Sequence, residues 1–190
     1  MNAPKITRRR VAVLGIVTLC ATLLGGQLVA QARDEHAQRP PAGLSGKERA
    51  IVLKATKRLE DVDVALAAGY LPTENCSELV GVGGMGYHFL NPTLASDSVV
   101  DPKRPEVLLY NEDANGDLEL IGVEWFVADP DQDPATDGGR PSLFEHPFDG
   151  PMLGHEPGMP VHFDLHAWVY TDNPTGQLSA WNPNVACPAP

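Results

Sequence analysis

The chain has 190 residues, 43% of them hydrophobic, which is long enough to bury a core without help from a metal or a disulfide. Its 25 acidic residues against 14 basic ones give a net charge of −11, which argues against nucleic acid and anionic membrane surfaces as partners and favours cations. The same charge also serves solubility in an exported protein.

The first 32 residues have the three parts of a secretory signal peptide: a basic start (Lys5, Arg8, Arg9, Arg10), an apolar run from Val11 to Ala30, and Ala30-Gln31-Ala32 as a small-x-small cleavage site. Thr7-Arg8-Arg9-Arg10-Val11 is also a loose match to a twin-arginine signal, which would export the chain already folded. Cleavage near Ala32 places the protein in the periplasm or outside the cell, with no membrane contact afterwards. It would leave 10 basic against 25 acidic residues, a net charge of −15. Residues 33–44, rich in polar groups and Pro, read as a tether, and His36 within it is not expected to be a ligand. From residue 45 to 190 a single α+β domain is expected.

Ser45 to Gly69 predicts a helix. Ser45 and Glu48 fit a capping box, Ile51, Ala55, Leu59, Val62 and Leu66 recur at three- and four-residue steps, and Gly69 ends the pattern. Its role is to cover a sheet. Gly81 to Asn91 carries four glycines before Tyr87-His88-Phe89-Leu90; neither a lysine nor a helical pattern follows, so it is not a phosphate loop. His88 is instead placed on a strand. Glu106–Tyr110 and Leu118–Val127 flank an Asn-Gly turn and predict an antiparallel hairpin. The turn is not an EF-hand, because Gly122 stands where the bidentate Glu would be required. Strict alternation would put Glu124 on one face with Leu118, Leu120 and Phe126, either as a satisfied core carboxylate or as a ligand.

Residues 129–160 are dominated by Pro, Gly and Asp and read as a long connection. Its acidic half (Asp129, Asp131, Asp133, Asp137) is expected to be a solvated loop able to bind calcium weakly, and its second half is too rich in His, Met and Phe for a mere tether. From Val161 to Tyr170 apolar and polar residues alternate, which predicts a strand carrying His162, Asp164 and His166 on one face. Cys76 and Cys187, the two cysteines left after signal removal, are expected to form a disulfide pinning the tail. Closing about 100 residues contributes about 4–5 kcal/mol in the chain-entropy model.

A strand that aligns two imidazoles and a carboxylate offers metal ligands. His162 and His166, with one of His88, His155 or Glu124, would hold zinc and leave a position open, Asp164 being a third ligand, an outer partner or a general base. Met85, Met152 and Met159 each precede a histidine by three residues, and thioether with imidazole is a donor set suited to copper. Those methionines equally suit gap-filling in a core. If the site is catalytic, Asp164 and Glu124 are the candidate acid/base groups. No Gly-x-Ser-x-Gly elbow surrounds any serine, so nucleophilic hydrolysis has little support.

Ala67-Ala-Gly-Tyr70, Met85-Gly-Tyr-His88, Gly122-Val-Glu124-Trp125, His146-Pro-Phe, Gly154-His155-Glu-Pro-Gly-Met159-Pro and Asp164-Leu-His166-Ala-Trp168 together resemble a group of secreted bacterial proteins of uncharacterised function. The resemblance covers nearly all of residues 45–190 and implies export and a single domain, but no activity. The sequence therefore predicts an N-terminal helix on a mainly antiparallel sheet, with long Gly/Pro-rich loops and one disulfide. Functionally it predicts an extracytoplasmic protein binding copper or zinc, whose partner is a metal ion or small molecule. A metal-dependent hydrolase and a metal-free structural or ligand-binding protein are the alternatives.

Overall fold

The computed structural model describes residues 43–73, 76–155 and 158–188; the signal segment and nearly all of the tether lie outside them. The capping box is present: Ser45 Oγ accepts from Glu48 N, and Glu48 returns to Ser45 N. It starts α1 (Gly46–Thr56), which tightens into a 3-10 turn (Lys57–Glu60) before α2 (Val62–Ala67). The single long helix is thus broken at Asp61, whose carboxylate accepts from Asp63 N and Val64 N and starts a new helix. The buried stripe also differs from the expected one. Val52, Thr56, Leu59 and Ala65 face inward, while Ile51 and Leu66 are exposed, because adjacent apolar residues in this segment offer two competing stripes and tertiary packing selects between them.

The strands are β1 (Leu71–Pro72), β2 (Ser77–Leu79), β3 (Gly83–Leu90), β4 (Val107–Glu112), β5 (Leu118–Ala128), β6 (Ser142–Leu143), β7 (His146–Pro147), β8 (Asp149–Met152) and β9 (His162–Ala167), with a short α3 (Pro92–Ala95) between β3 and β4. Seven strands form one antiparallel sheet in the order β1-β3-β4-β5-β9-β8, with β2 also paired to β3. The fold is therefore α+β, helices packed on a mainly antiparallel sheet. β6 and β7 form a separate small hairpin. The connection 129–160 is thus not structureless: its second half supplies β8, which pairs with β9 and makes β9 an interior strand. Both faces of β9 are buried as a result. In the acidic half, Asp131, Asp133 and Asp137 are exposed as expected, but Asp129 is buried.

The sheet has two different faces. Val52, Leu59 and Ala65 of the helical segment pack with Phe89, Leu108, Tyr110, Val123, Trp125, Phe163 and Leu165 on one side. Val107, Leu109, Ile121, Phe126, Trp168 and Val185 cluster on the other. A β-bulge corrects the expected company of Glu124. Leu109 pairs with Gly122 but Tyr110 pairs with Leu120, so Ile121 is an extra residue and the inward/outward parity changes there. Leu118 and Leu120 consequently join the helix-covered core, and Glu124 keeps only Phe126 of its predicted neighbours.

Cys76 and Cys187 are bonded, with Cα atoms 5.6 Å apart. The glycine-rich strand β3 makes room for the tail they tie down: a Cβ at Gly83 would lie 2.4 Å from the Asn182 carbonyl oxygen. Gly84 and Asn182 exchange backbone hydrogen bonds, so residues 180–187 are held against the second face.

Candidate metal centre

Three strands bring one donor each to the second face. On β5, Glu124 stands opposite Val107 of β4 and opposite His166 of β9. On β3, His88 stands opposite Leu109, two residues along from that row and on the same face. Its Nε2 reaches across β4 to lie 3.5 Å from Glu124 Oε2, and His166 Nε2 lies 3.5 Å from the same oxygen. The three donor atoms are within 4.8 Å of one another, and all three residues are buried. Ligand atoms held at about 2.0–2.2 Å by a tetrahedral zinc stand about 3.3–3.5 Å apart, so the two measured nitrogen–oxygen separations match a shared ion.

Asp164 completes the arrangement from outside it. Its Oδ1 lies 3.7 Å from His166 Nδ1, on the side of the ring away from Glu124. A carboxylate beside one ring nitrogen favours the proton there and leaves the other nitrogen's lone pair for an ion. Among the described residues, Glu124 Oε2 and both ring nitrogens of His166 are buried without a hydrogen-bond partner. Buried polar atoms are seldom left so; an ion beside Glu124 would satisfy its Oε2 and His166 Nε2 together, while Nδ1 faces Asp164.

The electrostatics agree with a place for positive charge. Burial pushes the Glu124 carboxyl above the ordinary range, against the pull of His166. For Asp164 burial acts in the same direction, but the charges of His166 and His162 outweigh it and hold the group below its usual value. Burial opposes a charge on His166; Glu124 and Asp164 on either side override it and push the imidazolium up to about 9. In the metal-free protein the proton on His166 is the cation that the two carboxylates stabilise, and a metal ion would compete with it.

No family model, curated protein or solved structure matches this chain. The reading of the site therefore rests on its geometry.

The other residues singled out in the sequence lie nearby without joining the cluster. His162 is fully buried beyond Asp164, its Nδ1 3.1 Å from the Pro160 carbonyl and its ring stacked on Phe126 at 4.9 Å between centroids. Its Nε2 is 3.8 Å from Asp164 Oδ2, so the two histidines of the β9 pattern flank one aspartate and do not share an ion with it in the His88 group. His155 is exposed and packs against His162, with ring centroids 5.9 Å apart. Met85, Met152 and Met159 all line one cavity of about 1110 Å³, together with His88, Glu124, His155, Asp164 and His166. His146, buried on β7, does not line it.

Sequence reasoning missed several contributors to that cavity, Asp149, Ala180 and Trp181 among them. Asp149 sits directly opposite Asp164 across the β8–β9 pair and lines the same space. Ala180 and Trp181 come from the tail. The glycines of β3 and the cysteine near the C-terminus are the signals that could have placed the tail there, since both mark close approach of a distant backbone.

Proposed function

We propose that the protein is an extracytoplasmic binder of one divalent transition metal, held by His88, Glu124 and His166, with Asp164 orienting His166. The observation that carries this reading is the convergence of three buried donors from three strands on the wall of a cavity. Two imidazoles and a carboxylate are the donor set of zinc sites that keep a fourth position open, and the cavity is where that position would face. An ion in a closed cage would suit storage or structure; one open to a cavity suits binding or transforming a small molecule. The bonded cysteines and the basic-then-apolar N-terminus support export.

Copper is the second reading, favoured by the placement of Met85, Met152 and Met159 on the same cavity. The deciding experiment is elemental analysis of the untagged, disulfide-intact protein after exposure to zinc or copper and removal of excess. One equivalent of zinc retained by the wild type and lost in His88→Ala/His166→Ala is the expected result. Preferential retention of copper, weakened by Met85→Leu/Met159→Leu, would replace zinc with copper. Absence of retained metal in the folded wild type would sink the proposal.

A further inference from the structure

Resting on the metal reading above, we infer that the cavity takes a neutral, largely apolar small molecule which presents a single hydroxyl or carbonyl oxygen to the metal. Three features of the wall lead there. The first is size. At about 1110 Å³ the cavity is far larger than an ion and its waters need, and lies just above the range of about 300–1,000 Å³ for sites that hold drug-sized organic ligands.

The second is the character of the lining. Leu90, Val107 and Phe126 project from the sheet face that also carries the metal donors, and Met85, Met152 and Met159 add flexible thioethers around them. Such a wall gains by removing apolar ligand surface from water, and the methionines can adjust to its outline. A ligand's polar atom would meet the metal, and its apolar body these side chains.

The third is charge. Glu124, Asp149 and Asp164 all line the cavity, while no Lys or Arg does among the described residues. A divalent ion would be balanced by Glu124 and Asp164, and Asp149 adds a third acidic group to the wall. A carboxylate or phosphate entering this space would have no cation of its own to meet, and would face Asp149. An ammonium group would be drawn to the carboxylates but has no lone pair for the metal. A hydroxyl or carbonyl oxygen meets neither objection.

Three matched probes separate these cases: 4-phenylbutan-1-ol, 4-phenylbutyrate and 4-phenylbutylamine, titrated calorimetrically into zinc-loaded and zinc-free protein. The alcohol is expected to bind the zinc-loaded protein at one site, at least tenfold more tightly than either charged probe, and to weaken at least tenfold when zinc is removed. Ala95→Phe, a substitution at a partly exposed position of the cavity wall, is expected to abolish alcohol binding while retaining one equivalent of zinc; the retained zinc shows that the fold is intact. Zinc retained with no probe bound, or the butyrate or amine bound as tightly as the alcohol, overturns this inference and leaves the metal reading standing. Equal alcohol affinity with and without zinc overturns the metal-anchored pose, as unchanged affinity in Ala95→Phe overturns the cavity as its place. A wild type that retains neither zinc nor copper overturns both.

Discussion

The two faces of the central sheet use the same strands for opposite purposes. On the helix-covered face, Leu108, Val123, Trp125, Phe163 and Leu165 interlock beneath Val52 and Leu59, and the polar atoms brought in with them are satisfied: the Tyr110 hydroxyl donates to the Leu59 carbonyl, and Trp125 Nε1 donates to the Asp101 carbonyl at 2.9 Å. One residue further along each strand, the opposite face buries His88, Glu124 and His166 around a shared oxygen. Burying such groups costs free energy that apolar side chains there would not cost. One face therefore supplies the stability that lets the other hold its donors in a strained electrostatic state, a common division of labour where total stability is only about 5–15 kcal/mol.

The largest test of this division is Trp125→Ala. Truncating a fully buried aromatic is expected to cost about 3–5 kcal/mol in denaturant unfolding, yet the folded fraction should still retain one metal per chain. Loss of metal affinity in the folded fraction would show that the two faces are not separable.

Glu106 gives a sharper electrostatic comparison, being a buried acid outside the donor cluster. Burial pushes its carboxyl up to about 7, while its hydrogen bond from Phe126 N opposes the shift. The folded protein thus keeps this proton well above the pH at which the unfolded chain, with an ordinary value of 4.5, releases it. Its contribution is fully present below about 4.5 and is lost as pH rises to about 7, a fall of about 2–3 kcal/mol in unfolding free energy. Glu106→Gln should remove that part of the pH dependence; an unchanged slope between those pH values would count against the burial argument.

Apolar replacement of the whole donor set, His88→Leu/Glu124→Met/His166→Leu, should leave the metal-free protein as stable as the wild type or more stable, by about 1–4 kcal/mol, with metal binding gone. A large loss of stability would mean that the cluster is structural. The smallest effect is expected from Asp164→Asn. Weakening the partner of His166 should reduce metal affinity by about ten- to a hundredfold, measured by chelator competition, while stoichiometry stays at one. Loss of stoichiometric binding would make Asp164 a ligand.

Local chemistry made much of this legible in advance. The Ser45/Glu48 cap, the hairpin around Asn115-Gly116, the Cys76–Cys187 bond and the alternation of β9 each depend on residues close in sequence or on a pair with no rival partner. The extent of the helix was not legible, because Asp61 can either continue a turn or cap a new one, and neighbouring apolar residues supported two stripes. His162 and His166 shared a face as their spacing requires, but a shared face did not make them share an ion.

The sequence by itself therefore determined the periodicities, the cap, the cysteine pair and the concentration of ligand-type residues, since these follow from backbone geometry and side-chain chemistry over a few residues. Only the tertiary structure decided which of those residues meet. The extra residue at Ile121 reverses the parity of one end of β5, strand order sets His88 across β4 from Glu124, and β8 and the tail close the cavity around them. Contacts between strands far apart in the chain are chosen by the packing of the whole sheet, and no local pattern carries that choice.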